Sequence, residues 1–181
     1  GMRYRTPADK AELIIHLRLL DDGRTLEISY EAEEGLNLKD IRLIDDGFWI
    51  TDVENGYVVV PVREGLMIPS NSGVAITHRF GTFEYEGCHM EMLGLVKRNS
   101  AILLTWHDPY VTAEVRSTLG GTVGGGKQIL SASMDLEKTA KSVRVKFLGN
   151  GDHVTIARAY REMAEERGWL TSWKSKIGIT P

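Results

Sequence analysis

The sequence predicts a mainly β fold, an antiparallel two-sheet β-sandwich with an α-helix at its C-terminal end. Three observations predict it. Leu26, Ile28, Tyr30 and Ala32 alternate with Glu27, Ser29, Glu31 and Glu33, the period of a strand with one wet face. Turn signals separate short apolar runs up to residue 150, at the spacing of a sandwich or barrel of roughly ten to twelve strands. At Gly149-Asn150-Gly151-Asp152 the apolar period then becomes helical. We read residues 1–150 as the sandwich domain and 151–181 as a linker helix and tail.

The first run, residues 11–20, places Leu13, Ile15, Leu17 and Leu19 on one parity. Asp21-Asp22-Gly23-Arg24 is a turn signal, because Gly supplies positive φ without a steric cost. With the alternating run behind it, this predicts an antiparallel hairpin. A third run over 36–50 carries Leu38, Ile41, Leu43 and Ile44. Asp45-Asp46-Gly47 is expected to close it before Phe48-Trp49-Ile50.

Gly56 to Pro69 is the strongest strand pair. Tyr57 to Val60 are aromatic and β-branched, as a pleated surface prefers. Pro61 and Pro69 lack a backbone donor and belong at strand ends or edges. Arg63-Glu64-Gly65 breaks the run as a tight turn. The hairpin is expected near the middle of the sandwich, its charged tip Arg63-Glu64 a solvated turn or the rim of a binding cleft.

Val74 to Phe80 reads as a short strand or a surface segment, and Phe83 and Tyr85 share a parity. A strand begins at Met90 and turns at Lys97-Arg98-Asn99. Ala101 to His107 is a continuous apolar run suited to a central strand, and Asp108-Pro109 breaks it. Val111, Ala113 and Val115 alternate with Thr112, Glu114 and Arg116. Two last strands cover 128–136 and 142–148.

Asp152 is a helix N-cap residue, and Ile156, Ala157, Tyr160, Met163 and Ala164 follow helical spacing. Gly168 stands where a glycine ends a helix. A helix over 153–167 follows, with i,i+4 pairs Arg158–Glu162 and Arg161–Glu165. Trp169 and Trp173 read as packing this end onto the sandwich or onto another domain, and residues 169–177 as a second short helical turn running into a tail.

Composition narrows the function. The chain has 181 residues, 42% of them hydrophobic, and a net charge of −3, so it can build one real core. The acidic balance and scattered Lys and Arg argue against nucleic acid and against an anionic membrane surface. No run approaches the ~18 apolar residues of a membrane span. The basic N-terminus has no apolar segment behind it, so no signal peptide is expected. One cysteine, Cys88, permits neither an intrachain disulfide nor a cysteine zinc site. It reads as a small buried residue, and the compartment stays open between cytoplasmic and extracytoplasmic.

Gly121 to Lys127 has the glycine and lysine spacing of a phosphate-binding loop. Gln128 stands where that loop needs Ser or Thr, and no helix pattern follows. A loop between strands is the better account. His16, His78, His89, His107 and His153 form no local metal motif, and a site gathered from distant strands lacks its usual cues. No cofactor and no metal is expected. Among the 25 acidic residues, none is singled out as a glycosidic acid or nucleophile, so no catalytic residue is assigned.

The richest polar and aromatic cluster is Trp106-His107-Asp108-Pro109-Tyr110. Rings beside Asp and His suit a sugar cleft, because rings stack on apolar pyranose faces while polar groups hold hydroxyls. The competing reading is a strand end with a core Trp and an Asp-Pro turn. The candidate binding residues are therefore Trp106, His107, Asp108, Tyr110, Arg63 and Glu64.

Gly56-Tyr-Val-Val-Val-Pro61 with Glu64-Gly65-Leu66-Met67-Ile68 resembles the N-terminal β-sandwich domains of bacterial glycoside hydrolases related to endo-α-N-acetylgalactosaminidase. Met92 to Leu95, Ala101 to Leu104 and Asp108 to Thr112 look like later strands of that domain. Val154 to Arg161, Glu166 to Leu170 and Lys174 to Ile177 are similar to its linker helix. The resemblance covers most of the chain from about residue 25, best at the helix and least over 70–90. It implies a galactose-mutarotase-like supersandwich and a (β/α)8 catalytic barrel C-terminal to Pro181. The family's catalytic carboxylates lie in that barrel, so none transfers to a residue here.

The expected role is a non-catalytic accessory domain that supports the barrel and contacts carbohydrate. The alternatives are a stand-alone carbohydrate-binding module and a mutarotase- or epimerase-like sugar enzyme. A missing domain would leave an apolar patch around Trp169 and Trp173.

Overall fold

A computed structural model of the protein describes residues 2–5, 12–33, 40–83, 85–120, 126–172 and 177. Its strands are β1 (Met2–Arg5), β2 (Glu12–Leu19), β3 (Thr25–Ala32), β4 (Asp40–Thr51), β5 (Tyr57–Val60) and β6 (Leu66–Pro69). They continue with β7 (Ile76–Gly81), β8 (Met92–Lys97), β9 (Ser100–Thr105), β10 (Val111–Leu119), β11 (Gln128–Glu137) and β12 (Ser142–Asn150). One helix, α1 (His153–Glu166), follows. An eight-stranded sheet has the order β1-β2-β3-β12-β9-β8-β5-β6, and a four-stranded sheet the order β4-β11-β10-β7. All the pairings are antiparallel. The chain is the mainly β two-sheet sandwich with a C-terminal helix that its periodicity predicts.

The sheets close on one core because their inward parities are apolar. Val111, Ala113 and Val115 of β10 and Leu130, Ala132, Met134 and Leu136 of β11 face Val58, Leu93, Leu104, Val143 and Val145 of the larger sheet. A second, smaller core lies outside that sheet, where Ile156 and Ala159 of α1 bury Met92, Val96, Ala101 and Leu103. Gly94 makes the approach possible, since a Cβ there would meet Ile156 Cδ1 at 2.8 Å.

The predicted antiparallel β2–β3 hairpin forms, with Leu19 opposite Leu26 and Leu13 opposite Ala32. Asp22 ties its turn by accepting from Thr25 Oγ1 at 2.6 Å and from the Arg24 and Thr25 amides. The parity of β2 is only partly inward: Leu13 and Ile15 pack on the core, while Leu17 and Leu19 run past it and are exposed.

Two expectations are corrected. Asp45-Asp46-Gly47 does not end a strand, because β4 runs unbroken from Asp40 to Thr51. Ile44 pairs with Met134 and Phe48 with Ala132, so three residues of β4 stand opposite Ser133 alone. The extra residues form a bulge, with Asp46 at φ +48°. The β5–β6 hairpin keeps its predicted pairing, Val58 opposite Ile68, but lies at the edge of the larger sheet. Pro69 on the outermost strand leaves no central ladder short of a donor.

The segment 74–80 contributes the edge strand β7. Arg98 and Asn99, both at positive φ, make the tight turn of the β8–β9 hairpin. Trp106 and His107 fall just beyond β9, which ends at Thr105 and lies between β12 and β8. The helix starts as its N-cap predicts: Asp152 accepts from the amides of Val154 and Thr155. It ends at Glu166, and Gly168 at φ +69° donates to Glu165 O. The second helical turn expected over 169–177 does not form over 169–172, which take no helix once Gly168 at positive φ has ended α1; its residues 173–176, Leu38 and residues 121–125 of the glycine-rich loop lie outside the described residues.

Candidate functional site

Four neighbours in sequence, Trp106, His107, Asp108 and Tyr110, do not make one cleft. Trp106 turns into the inter-sheet core and is 1% exposed, and its indole N–H finds no acceptor among the described residues. His107 faces the far end of α1, where the Arg167 guanidinium lies against both ring nitrogens and Trp169 meets the ring edge-on at 6.1 Å. Asp108 Oδ1 accepts from the Tyr110 amide at 2.9 Å and shapes the turn. Tyr110 packs against Phe83, with Lys138 Nζ 4.1 Å above its ring. The four residues lie in the loop between β9 and β10, and its Asp-Pro turn sends their side chains in different directions.

His107 is a poor acid or base at neutral pH. Burial, with Arg167 and Arg144 close by, pushes it down to about 4. Glu91 Oε2 is 3.8 Å from its Nδ1, but a neutral ring makes no ion pair. Glu91 itself is raised by its own burial. Desolvation also pushes the Cys88 thiol up to about 12, so the buried cysteine is not an activated nucleophile.

Arg63 and Glu64 do line a cleft, of about 620 Å³, together with Thr77, His78, Phe80 and Glu86. Arg63, at φ +52°, donates to Glu86 Oε1 at 3.1 Å. Its guanidinium lies 5.2 Å from the ring of Tyr85. His78 Nε2 is 3.9 Å from Glu86 Oε2. The charged groups are exposed and long, and among the described residues they pair with one another. In high dielectric such contacts fix geometry weakly.

The outward face of the small sheet carries a network of charged hydrogen bonds. Arg42 grips Asp135 through Nε at 2.6 Å and Nη2 at 2.9 Å, and reaches Glu114 at 3.2 Å. Arg79 donates to Asp135 at 2.6 Å, and Arg116 to Glu114 at 2.8 Å. Burial works against ionisation of Asp135, yet the hydrogen bonds and charge of Arg42 and Arg79 hold it below the usual carboxylate range. Arg116 Nη1 also donates to Asp46 Oδ2 at 3.1 Å, and Ser131 Oγ to Asp46 Oδ1 at 2.6 Å. Beside them Asp46, Trp49, Arg116, Thr118, Ile129 and Ser131 enclose a pocket of about 280 Å³. Glu114 and Arg116 read as a solvated alternation in the sequence. The signal that could have found them is that Glu114, Arg116 and Asp135 share the outward parity of paired strands.

Among the described residues no group of three or more His, Cys, Asp and Glu is placed to hold a metal ion. Gln128, at the position that disqualified the phosphate loop, is a fastener: Nε2 donates to Ser117 Oγ at 2.6 Å and to Ser72 Oγ at 2.9 Å. Among the described residues no helix is long and apolar enough to cross a membrane.

On the helix side an apolar groove of about 340 Å³ runs between α1 and β5, lined by Val59, Met90, Met92, Ile156, Tyr160 and Leu170. Trp169, Leu170, Met67 and Met90 stand exposed around it.

No protein-family model and no curated protein matches this sequence. Solved structures do match. The GalNAc complex of the alpha-N-acetylgalactosaminidase NagBb from Bifidobacterium bifidum aligns at a TM-score of 0.72 and 16% identity, over 94% of this chain and 29% of that one. Its Gal-NHAc-DNJ complex aligns at 0.72 and 15% identity, and its quadruple mutant at 0.72 and 14%, each over 97% of this chain and 31% of the other. The chain therefore spans about a third or less of the length of the enzyme it matches. At these identities the likeness is one of fold: this β-sandwich with its helix has the architecture of one part of a bacterial glycosidase chain.

Proposed function

We propose that the chain is a non-catalytic accessory β-sandwich domain of a larger glycoside hydrolase, of the mutarotase-like supersandwich type. In this reading it supports a (β/α)8 barrel C-terminal to Pro181 and contacts carbohydrate. The observation that carries the proposal is the asymmetry of coverage: at least 94% of this chain matches no more than 31% of a glycosidase. The exposed apolar residues flanking the groove beside α1, with Trp169 among them, add support, because a face of this kind is ordinarily covered by a partner surface. The site chemistry agrees. His107 is held neutral, Cys88 is protonated, and the small-sheet carboxylates Glu114 and Asp135 are committed to arginines.

The gene beyond Pro181 tests the proposal directly. A further ~250 residues or more of strands alternating with helices is expected, the length of a barrel. A gene ending near Pro181 would overturn the accessory role and leave the carbohydrate-binding module. The isolated chain is expected to release no product from aryl α-glycosides, and robust turnover would sink the non-catalytic reading.

A further inference from the structure

The bulge in β4 builds a site. Asp46 leaves the pleat at φ +48°, and its amide donates to Ser133 Oγ at 2.9 Å. Its carboxylate is thereby carried across β11 to Ser131 and to Arg116 of β10. Ser131, Ser133 and Glu114, which hold Asp46 and Arg116 in place, are all buried. Three residues after Asp46, Trp49 pairs with Ser131 and is 37% exposed. Lys97 Nζ lies 4.0 Å over the indole and donates to Trp49 O at 3.2 Å, so the ring is pinned. Trp49, Asp46 and Arg116 together wall the pocket of about 280 Å³, just under the ~300 Å³ lower bound of small-ligand pockets.

We propose that this pocket binds a single neutral hexopyranose ring. The ring stacks on Trp49, and two neighbouring hydroxyls bridge the charged pair, one donating to Asp46 and one accepting from Arg116. The charges favour this class. Asp46 and Glu114 beside Arg116 repel a phosphate or carboxylate, and Arg116 repels a cation. A vicinal diol offers a donor and an acceptor at once and loses no charge on entering. The pocket is preferred over the Arg63–Tyr85 cleft because its polar groups are anchored by buried partners, so little ordering entropy is lost on binding. The inference rests on the carbohydrate part of the proposed function and is independent of any barrel.

The test is a two-dimensional NMR titration of the 181-residue chain with N-acetylgalactosamine, galactose and glucose at millimolar concentration. At least one sugar is expected to shift the Trp49 indole N–H and the amides of Asp46, Arg116 and Ser131. Trp49→Ala and Asp46→Asn should each weaken binding about tenfold or more. Trp49→Tyr should bind within about threefold of the parent, and Arg63→Ala and Tyr85→Ala should bind like it. Amide dispersion reports whether each variant is folded, and Asp46→Asn with Trp49→Tyr carry the test if Trp49→Ala is not. Shifts confined to the Arg63–Tyr85 cleft overturn the pocket and leave carbohydrate contact standing. No shift with any sugar overturns both, while the support of a barrel is still judged from the gene.

Discussion

Glu114 and Asp135 are carboxylates buried on the outward face of a sheet, and arginines make this tolerable. Each ion loses water on burial, a cost of several kcal/mol that is offset only if good partners replace the water. Arg42 supplies paired hydrogen bonds to both carboxylates. Arg42→Met should therefore cost on the order of 3 kcal/mol in chemical denaturation, since it strips a shared partner from two buried ions. A loss below roughly 0.5 kcal/mol would mean that Arg79 and Arg116 suffice. His107 gives a pH signature. Its ordinary value is 6.5, and in the folded chain burial beside Arg167 holds it at about 4. The folded state thus favours the neutral ring. The associated stability is complete above about pH 6.5 and is lost as pH falls towards 4. Denaturation midpoints should fall across that window, and His107→Gln should flatten the fall. Glu91, raised by burial, acts in the opposite sense. Asp22, held at about 2 chiefly by the Thr25 hydroxyl, titrates in a lower window, between its ordinary 3.8 and 2.

At the scale of elements, the hairpin of Gly56 to Pro69 was legible because its residues state both strands and the break between them. Its place at a sheet edge was not, because neighbours in a sheet come from remote parts of the chain: β5 pairs with β8. Gly56 is required by that neighbour. A Cβ there would stand 2.3 Å from Val96 O and 2.7 Å from Ile50 Cγ2, and a backbone oxygen in a ladder cannot step aside. Gly56→Ala should cost about 2–3 kcal/mol by thermal or urea denaturation, as overpacking does. Gly65→Ala offers a contrast: at φ +98° with open space around it, its cost is conformational and should be smaller, about 1 kcal/mol. The Asp45-Asp46-Gly47 signal failed for a related reason. Asp and Gly mark positive φ, and a bulge uses it as readily as a turn does. Only the partner strand decides which forms.

For the whole molecule, the sandwich and the helix are unequal partners. The inter-sheet core is large and continuous, whereas α1 covers a second, small cluster on the outside of the larger sheet. Ending the chain after Asn150 should leave the sandwich folded but uncover Met92, Val96 and Leu103. Stronger binding of a hydrophobic dye and a lower thermal midpoint are the expected results. A chain that unfolds outright would show that residues 151–181 belong to the domain rather than to a linker. The same helix borders the apolar groove and the exposed Trp169 and Leu170, the face that we propose meets a barrel. The sugar pocket we propose lies on the outward face of the small sheet, so its loss and the loss of a partner domain are separable by experiment.

The sequence by itself determined what depends on near neighbours. Period-two alternation named the strands, Asp152 and Gly168 bracketed the helix, and Asp22-Gly23 set a hairpin. These are local preferences of φ, parity and capping, and they survive into the fold. The tertiary structure alone decided what depends on which strands meet. It scattered Trp106, His107, Asp108 and Tyr110, neighbours in sequence, to the core, the helix end, a turn and a contact with Phe83. It gathered Asp46, Trp49, Arg116 and Ser131 from three strands into one pocket. The physical reason is that a loop turns its neighbours apart, while adjacent strand residues point to opposite faces, so a site on a sheet is assembled across strands, not along them.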